Sequence, residues 1–515
     1  MPETNNMKIQ LAIGWAVVAG LSLEAGLPRA TPESQGVPSS AILSFVEAAD
    51  KGIDSLHSFM LVRHGRVVAE GWWSPYSAES PHALYSLSKS FASTAVGLAA
   101  AEGLLSLDDE LVKIFPEDAP AEPGAHLRAM RIRDLLRMNT GHETEPPRAA
   151  DPAWKKAFLN HPVRFKPGTH FLYNTSATYM LAAAVEKRSG MPLVDYLRPR
   201  LFDPLGIDHP IWEKSPEGIT LGGYGLSVRT EDIACFGQLY LQKGKWAGKQ
   251  VVPESWVAEA TALQTSNGSN PASDWDQGYG YQFWRCRNGC YRGDGAFGQY
   301  CIVMPGRDAV IAITSGLRDM QAVLNLVWGQ LLPAMGDAPL PADAVARENL
   351  VRKLRSLELP PQIGTASAPG VFGRKYLFPG NARKLETIAL ERNADGTTAL
   401  AARVDGVEGR IECGPGAWKK GRAAWGSSAL QPVAASGGWT ASDTFTAKIC
   451  LYETPFVFGL NLRFAGDELR CRIAANVGFG PTQEPELVGT MVRDETAEAK
   501  NQSNEHAPLH SRPHL

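Results

Sequence analysis

Residues Ser86 to Glu102 read SLSKSFASTAVGLAAAE, a run of Ala, Leu and Val that Gly103 ends and that forms the longest helical candidate in the first half of the chain. Its apolar residues are not confined to one face, so this helix has to be buried. The segments around it can cover it. Ala41 to Ala49 reads as a short amphipathic helix, and Ser58 to Glu70 as two strands about His64-Gly65 with Phe59, Leu61 and Val67 as core candidates. Residues 132 to 138, Thr175 to Arg188 and Glu231 to Gln242 read as helices, while 279 to 285, 290 to 293, 299 to 304 and 309 to 315 alternate like strands of one antiparallel sheet. A helix from Met320 to Leu332 is expected to return onto that sheet. Residues 27 to 335 therefore form one large α/β unit.

At 515 residues the chain exceeds what one core usually organises, and a second unit is expected. Residues 336 to 368 have the Pro and Ala content of a linker. From 369 to 493 the pattern changes to short strands between turns such as Ala394-Asp395-Gly396, with Trp418, Trp425 and Trp439 available to fill a small all-β barrel or sandwich. The stretch from 494 to 515 is polar and is expected to be disordered. Within residues 1 to 26, Lys8 precedes an apolar run from Leu11 to Leu23 that has the length of a signal peptide but poor flanks, so a cytoplasmic location is favoured over export. No later segment is long and apolar enough for a transmembrane span, so no stable membrane insertion of the mature chain is expected.

A net charge of -3, from 51 Lys+Arg against 54 Asp+Glu, offers no footprint for nucleic acid and suits a small, roughly neutral substrate. The seven cysteines are thinly spread and read as buried thiols. Cys286 and Cys290 are the one close pair, but no second Cys/His pair accompanies them, and Asn288-Gly289 between them reads as a two-residue hairpin turn pairing Arg287 with Cys290. No metal and no cofactor is expected. H-E-x-x-H, a P-loop, a dinucleotide fingerprint and the G-x-S-x-G elbow are all missing from the sequence.

The start of the buried helix carries the chemistry. Ser86-Leu87-Ser88-Lys89 is an S-x-x-K, and residues three apart on a helix share a face, so the Lys89 amine falls beside the Ser86 hydroxyl. Burial disfavours the ammonium form, which lets Lys89 act as base toward Ser86, and the free N–H groups of a helix start favour the charge that develops on attack. A helix-capping Ser with a solvated Lys is the bland reading of the same residues, and the burial of Lys89 argues against it. Tyr173, in Phe171-Leu172-Tyr173-Asn174-Thr175 just before a helix, can exchange a proton with a leaving group if it lies near Lys89. Gly293-Asp294-Gly295-Ala296 lies on a strand whose glycines admit close backbone approach and whose N–H groups can serve an oxyanion.

The order S-x-x-K, Y-N-[ST], Gly-rich strand resembles class C β-lactamases, D,D-peptidases, family VIII carboxylesterases and the 6-aminohexanoate-dimer hydrolase group. Leu104 to Asp109, Leu135 to Gly141 and Gly222 to Leu226 add matches between the motifs. The resemblance spans about 27 to 335. It implies a serine β-lactamase-like fold, an antiparallel sheet flanked by helices with an all-helical subdomain, and a lipocalin-like β-domain after it. It also implies that Ser86 is the acyl-forming nucleophile, Lys89 its base and Tyr173 the general acid/base, with Ala296, Gly295, Asp294 and Asn174 around the oxyanion and substrate. Penicillin-recognising members carry Lys-Thr-Gly or His-Thr-Gly where this chain has Gly293-Asp294-Gly295, and an Asp there is expected to repel a carboxylate-bearing lactam. The expected function is ester or amide hydrolysis. A D,D-peptidase, D-amino-acid amidase or weak β-lactamase is the alternative, and a catalytically silent binding protein of the same fold is the reading from another class.

Overall fold

The computed structural model describes residues 26–493, except 149–152, 368 and 426–428. The N-terminal apolar run and the polar tail from 494 lie outside the described residues.

Leu56–Arg63 (β1) and Arg66–Trp72 (β2) form the expected hairpin about His64-Gly65. Trp284–Arg285 (β3), Tyr291–Gly295 (β4), Gln299–Met304 (β5) and Ala309–Ser315 (β6) complete one antiparallel sheet in the order β2-β1-β6-β5-β4-β3. All residues of β1, β5 and β6 are buried, because both faces of the sheet are covered. Side-chain alternation divides these strands between two cores. Met60, Val62, Val303, Val310 and Ala312 enter one, and Phe59, Leu61, Ile302, Ile311 and Ile313 enter the other.

The second core is closed by Ser39–Gly52 (α1) and by helix from Met320 to Leu331. The first is closed by Ser88–Ala101 (α2), Thr175–Ser189 (α3) and Thr230–Leu241 (α4), with the short helices Ala125–Ala129, Ile132–Leu136 and Trp154–Asn160 beyond them. α2 is buried along nearly its whole length, as its all-round apolar surface requires.

Three local expectations change. The stretch 336 to 368 contains a helix, Ala344–Arg355 (α5), started by an Asp343 side chain that accepts from the Ala346 N–H. Leu350 and Leu354, one turn apart, dock it on the second core together with Leu357 just after its end, where Gly71 leaves room for Leu354 and Leu357. At Asn288-Gly289 the turn has three residues, Arg287 to Gly289, and Cys286 N–H donates to Cys290 C=O at 2.9 Å, so the two cysteines face each other one register from the expected pairing. Asn288 and Gly289 are both left-handed, and Arg287 is drawn out of the ladder by its ion pair with Asp274. All seven cysteines are free and buried. Trp418, expected in the β-domain core, stands outside it and donates from Nε1 to Leu359 C=O at 2.8 Å, whereas Trp425 and Trp439 belong to that core.

The C-terminal domain is a ten-stranded antiparallel meander from Lys375–Leu377 to Leu487–Met491 whose first and last strands pair, Tyr376 opposite Met491. The remaining gap, between the edge strands Val407–Cys413 and Lys419–Ala423, is spanned where Gly414 pairs with Ser436 of the next strand, Gln431–Ala441, so the sheet is a nearly closed barrel around one apolar core. Among the described residues no helix is long and apolar enough to cross a membrane.

Candidate active site

The short strand His82–Ala83 leads to Tyr85, whose φ of 48° turns the chain sharply into a 3-10 turn, Tyr85–Leu87, and then into α2. This bend leaves Ser86 partly exposed at the helix entrance and puts Lys89 one turn further in, only 1% exposed. The Lys89 Nζ donates to Ser86 Oγ at 3.0 Å, to Thr175 Oγ1 at 3.2 Å and to Gly223 C=O at 2.8 Å. A side chain at Gly223 would collide with Thr175, so the Gly222-Gly223 pair is what lets this carbonyl reach the amine. Burial, only partly countered by the Glu145 carboxylate, pulls the Lys89 ammonium down to about 7.

β4 lies flush against the same helix start. A Cβ at Gly295 would meet Leu84 C=O at 2.0 Å and one at Gly293 would meet Leu87 and Ser90 at 2.5 Å, so both glycines face the nucleophile segment. The turn after Gly295 closes with Gly298 N–H donating to Gly295 C=O at 3.1 Å, which puts Ala296 and Phe297 at its two central positions. The Ser86 backbone nitrogen stands 3.1 Å from the position of a Cβ on Gly295, so Ala296 follows directly on the strand end that lies against the nucleophile segment.

Arg292 and Asp294 project to the other face of β4 and pair with each other, Nε to Oδ2 at 3.0 Å and Nη2 to Oδ2 at 2.8 Å. Both are buried, and Arg292 also lies over the Trp275 and Trp284 rings. Desolvation raises the Asp294 carboxyl despite the guanidinium, and Arg292 is raised against its own desolvation by Cys286 and Asp294. The Asp294 charge is thus met within the fold. The expected repulsion of a carboxylate is replaced by the lack of a free cation on this strand.

Tyr173 stands before α3 with its ring stacked on Trp284 at 5.3 Å and the Lys89 amine 4.9 Å from its centroid. Burial and the Asp294 charge raise its phenol well above the ordinary value, while the adjacent Ser86 hydroxyl works the other way. Asn174 is fully buried and turned inward, where its Oδ1 accepts from Ala177 N–H at 3.0 Å as the cap of α3. The structure brings Ser86, Lys89, Tyr173 and Gly295 together, with Ala296 next in the chain after Gly295. It puts Thr175, one residue after Asn174, against Lys89. Thr175 is the third residue of the Y-N-[ST] motif and Gly223 lies in the matched segment Gly222 to Leu226, but the sequence assigns neither a role, and Glu145, which accepts from Thr175 N–H at 2.8 Å, carries no signal there.

Among the described residues, two of the cavities lie away from this group. One of about 490 Å³ is lined by residues such as Pro120, Leu127 and His161, and one of about 460 Å³ lies in the barrel beside Leu400 and Trp425. Neither is lined by Ser86, Lys89 or Tyr173. Among the described residues no group of three or more His, Cys, Asp or Glu side chains is arranged to hold a metal ion.

The Beta-lactamase family model matches residues 48–326, more than half of the chain. The chain is 27% identical over 289 residues to the 6-aminohexanoate-dimer hydrolase of Paenarthrobacter ureafaciens, a match that covers 51% of this chain and 73% of that protein. It is 26% identical over 174 residues to the lovastatin esterase of Penicillium rubens, covering 28% of this chain and 42% of that one. Among solved structures, the octameric penicillin-binding protein homologue from Pyrococcus abyssi aligns at 15% identity and a TM-score of 0.47, over 88% of this chain and 99% of its own.

Proposed function

The chain belongs to the β-lactamase family and is a serine hydrolase, and from that premise we propose that it cleaves a neutral ester or amide through an acyl-Ser86 intermediate. The observation that carries the reading is the buried Lys89 amine 3.0 Å from the Ser86 hydroxyl, pulled down to about 7. At neutral pH a large fraction of it is free amine, able to accept the hydroxyl proton as Ser86 Oγ bonds to the substrate carbonyl carbon. The carbonyl oxygen gains negative charge and is met by the N–H groups of Ser86 and Ala296. The Tyr173 phenol stays protonated, so its role is to give a proton to the departing oxygen or nitrogen. The acyl bond to Ser86 Oγ remains, and water then attacks it with the same groups acting in reverse.

The substrate preference rests on β4. A carboxylate-bearing lactam needs a cation beside the oxyanion site, and the one cation that β4 carries, Arg292, is committed to Asp294 at 2.8 Å. The names of two of the relatives, a 6-aminohexanoate-dimer hydrolase and a lovastatin esterase, accord with this preference.

The test is purified protein assayed on a short-chain p-nitrophenyl ester, a D-alanyl peptide and a chromogenic cephalosporin, beside Ser86→Ala and Lys89→Ala. The ester or an amide should be turned over and should leave an acyl adduct on Ser86 by mass spectrometry. Wild-type turnover by Ser86→Ala would overturn the mechanism. Preferred turnover of the D-alanyl peptide or the cephalosporin would move the chain to the peptidase or lactamase reading.

A further inference from the structure

The two oxyanion donors are each flanked by an aromatic residue, Tyr85 before Ser86 and Phe297 after Ala296. Both sit at positive φ, 48° and 67°, a conformation glycine adopts freely and an aromatic residue rarely does. Their rings meet edge to face at 5.5 Å. Two rings of the barrel domain close on them. Phe456 lies 5.8 Å from Phe297, and Phe479 lies 4.8 Å from Phe297 and 5.7 Å from Tyr85. Phe479 nevertheless remains 78% exposed. A ring serving only to glue the domains together would be covered.

The loops that carry these barrel residues are fixed to the catalytic domain. Ala83 N–H donates to Glu453 C=O at 2.8 Å, Tyr76 Oη to Thr454 C=O at 3.0 Å, and Arg318 Nε to Asn476 C=O at 2.7 Å. Asn476 Nδ2 in turn donates to Pro455 C=O at 2.9 Å, tying one loop to the other. The arrangement is thus held in place on the side of Ser86 that carries its oxyanion donors. Tyr173 belongs to a different aromatic group, with Trp284 and Tyr279. The leaving group departs toward the proton donor, so the Tyr85–Phe297 side is left for the acyl part of the substrate.

We propose that Phe456 and Phe479 of the barrel complete, with Tyr85 and Phe297, the acyl-binding wall of the active site, and that the preferred substrate carries a bulky apolar acyl group, arylalkyl or medium-chain alkyl. The inference rests on the acyl-Ser86 reading and specifies its substrate class. It gives the barrel a part in specificity. Acetyl has little apolar surface to offer the exposed Phe479 ring, whereas a longer acyl group has enough to lie against it.

The experiment keeps the leaving group constant and varies the acyl group: p-nitrophenyl acetate, hexanoate and phenylacetate, with wild type, Phe479→Ala, Phe479→Leu and the Phe456→Ala/Phe479→Ala double variant. Wild type should prefer hexanoate or phenylacetate over acetate by about tenfold or more in kcat/KM. The double variant should reduce that ratio to about twofold, and Phe479→Leu, which keeps apolar bulk, should retain most of it. Because the ratio is taken on one preparation, partial misfolding does not imitate the result. A ratio in the double variant equal to that of wild type would overturn the proposal while leaving the Ser86 chemistry intact. Hydrolysis that persists in Ser86→Ala would refute the underlying function instead.

Discussion

Lys89 gives the most direct quantitative test, because its proton governs both rate and stability. With the amine at about 7, roughly one tenth of the molecules have a free base at pH 6 and roughly nine tenths at pH 8, so kcat/KM should rise about tenfold across that interval and level off above it. Lys89→Arg replaces the amine by a group that stays charged, and should cost about 10²- to 10⁴-fold at every pH in the range. The same burial has a thermodynamic counterpart. The ordinary lysine value is 10.5 and the folded one about 7, so the unfolded chain holds a proton there between pH 7 and 10.5 that the folded chain does not. Stability therefore increases with pH through that window and is penalised below it, by roughly 5 kcal/mol at pH 6. Lys89→Met lifts the penalty but abandons three hydrogen bonds, worth about 1 kcal/mol each, leaving a gain of about 2 kcal/mol at pH 6 that vanishes and reverses toward pH 10. The rate is read from p-nitrophenol release across pH 5.5 to 9 and the stability from urea denaturation of wild type and variant at about pH 6, 8 and 10. A pH-independent kcat/KM, together with a Lys89→Met variant less stable than wild type at pH 6, would refute the account of Lys89 as a buried neutral base.

Tyr173→Phe keeps the stacking on Trp284 but removes the proton donor, and should lower kcat/KM for an amide or a poor leaving group by about 10²-fold or more while leaving thermal denaturation nearly unchanged. Ala296→Pro removes one oxyanion donor at a turn position that accommodates proline, and should cost about 10²- to 10³-fold in kcat with the hairpin retained by circular dichroism. Asn174→Ala removes the cap of α3, so about 1 kcal/mol of stability should be lost by urea denaturation, with most of the activity kept.

Much of this was legible in the primary structure. An apolar helix without a polar face must be buried, so a lysine in its first turn is buried too, and the i, i+3 spacing alone brings it to Ser86. Gly293 and Gly295 announced a close backbone approach, and the structure supplies its partners, Leu84, Leu87 and Ser90. Helix periodicity also placed α3 and α4 within a residue or two of their observed spans. Other features depend on contacts between segments far apart in the chain, which local pattern does not encode. α5 was masked by linker composition, since Leu350 and Leu354 carry its apolar contact with the second core. Asn174 and Thr175 are neighbours with opposite fates, because the bend into α3 turns one into a cap and the other toward Lys89.

The Ser86–Lys89 pair and the helix that buries it follow from local spacing and the solvation of apolar surface, and these the sequence determines by itself. The neutralisation of Asp294 by Arg292, the carbonyl of Gly223 on the amine and the barrel rings over Tyr85 were decided only by the tertiary structure. Each is an electrostatic or packing relation whose strength depends on distance in space, and residues such as Tyr85 and Phe479 come within contact range only once two separately cored domains have docked.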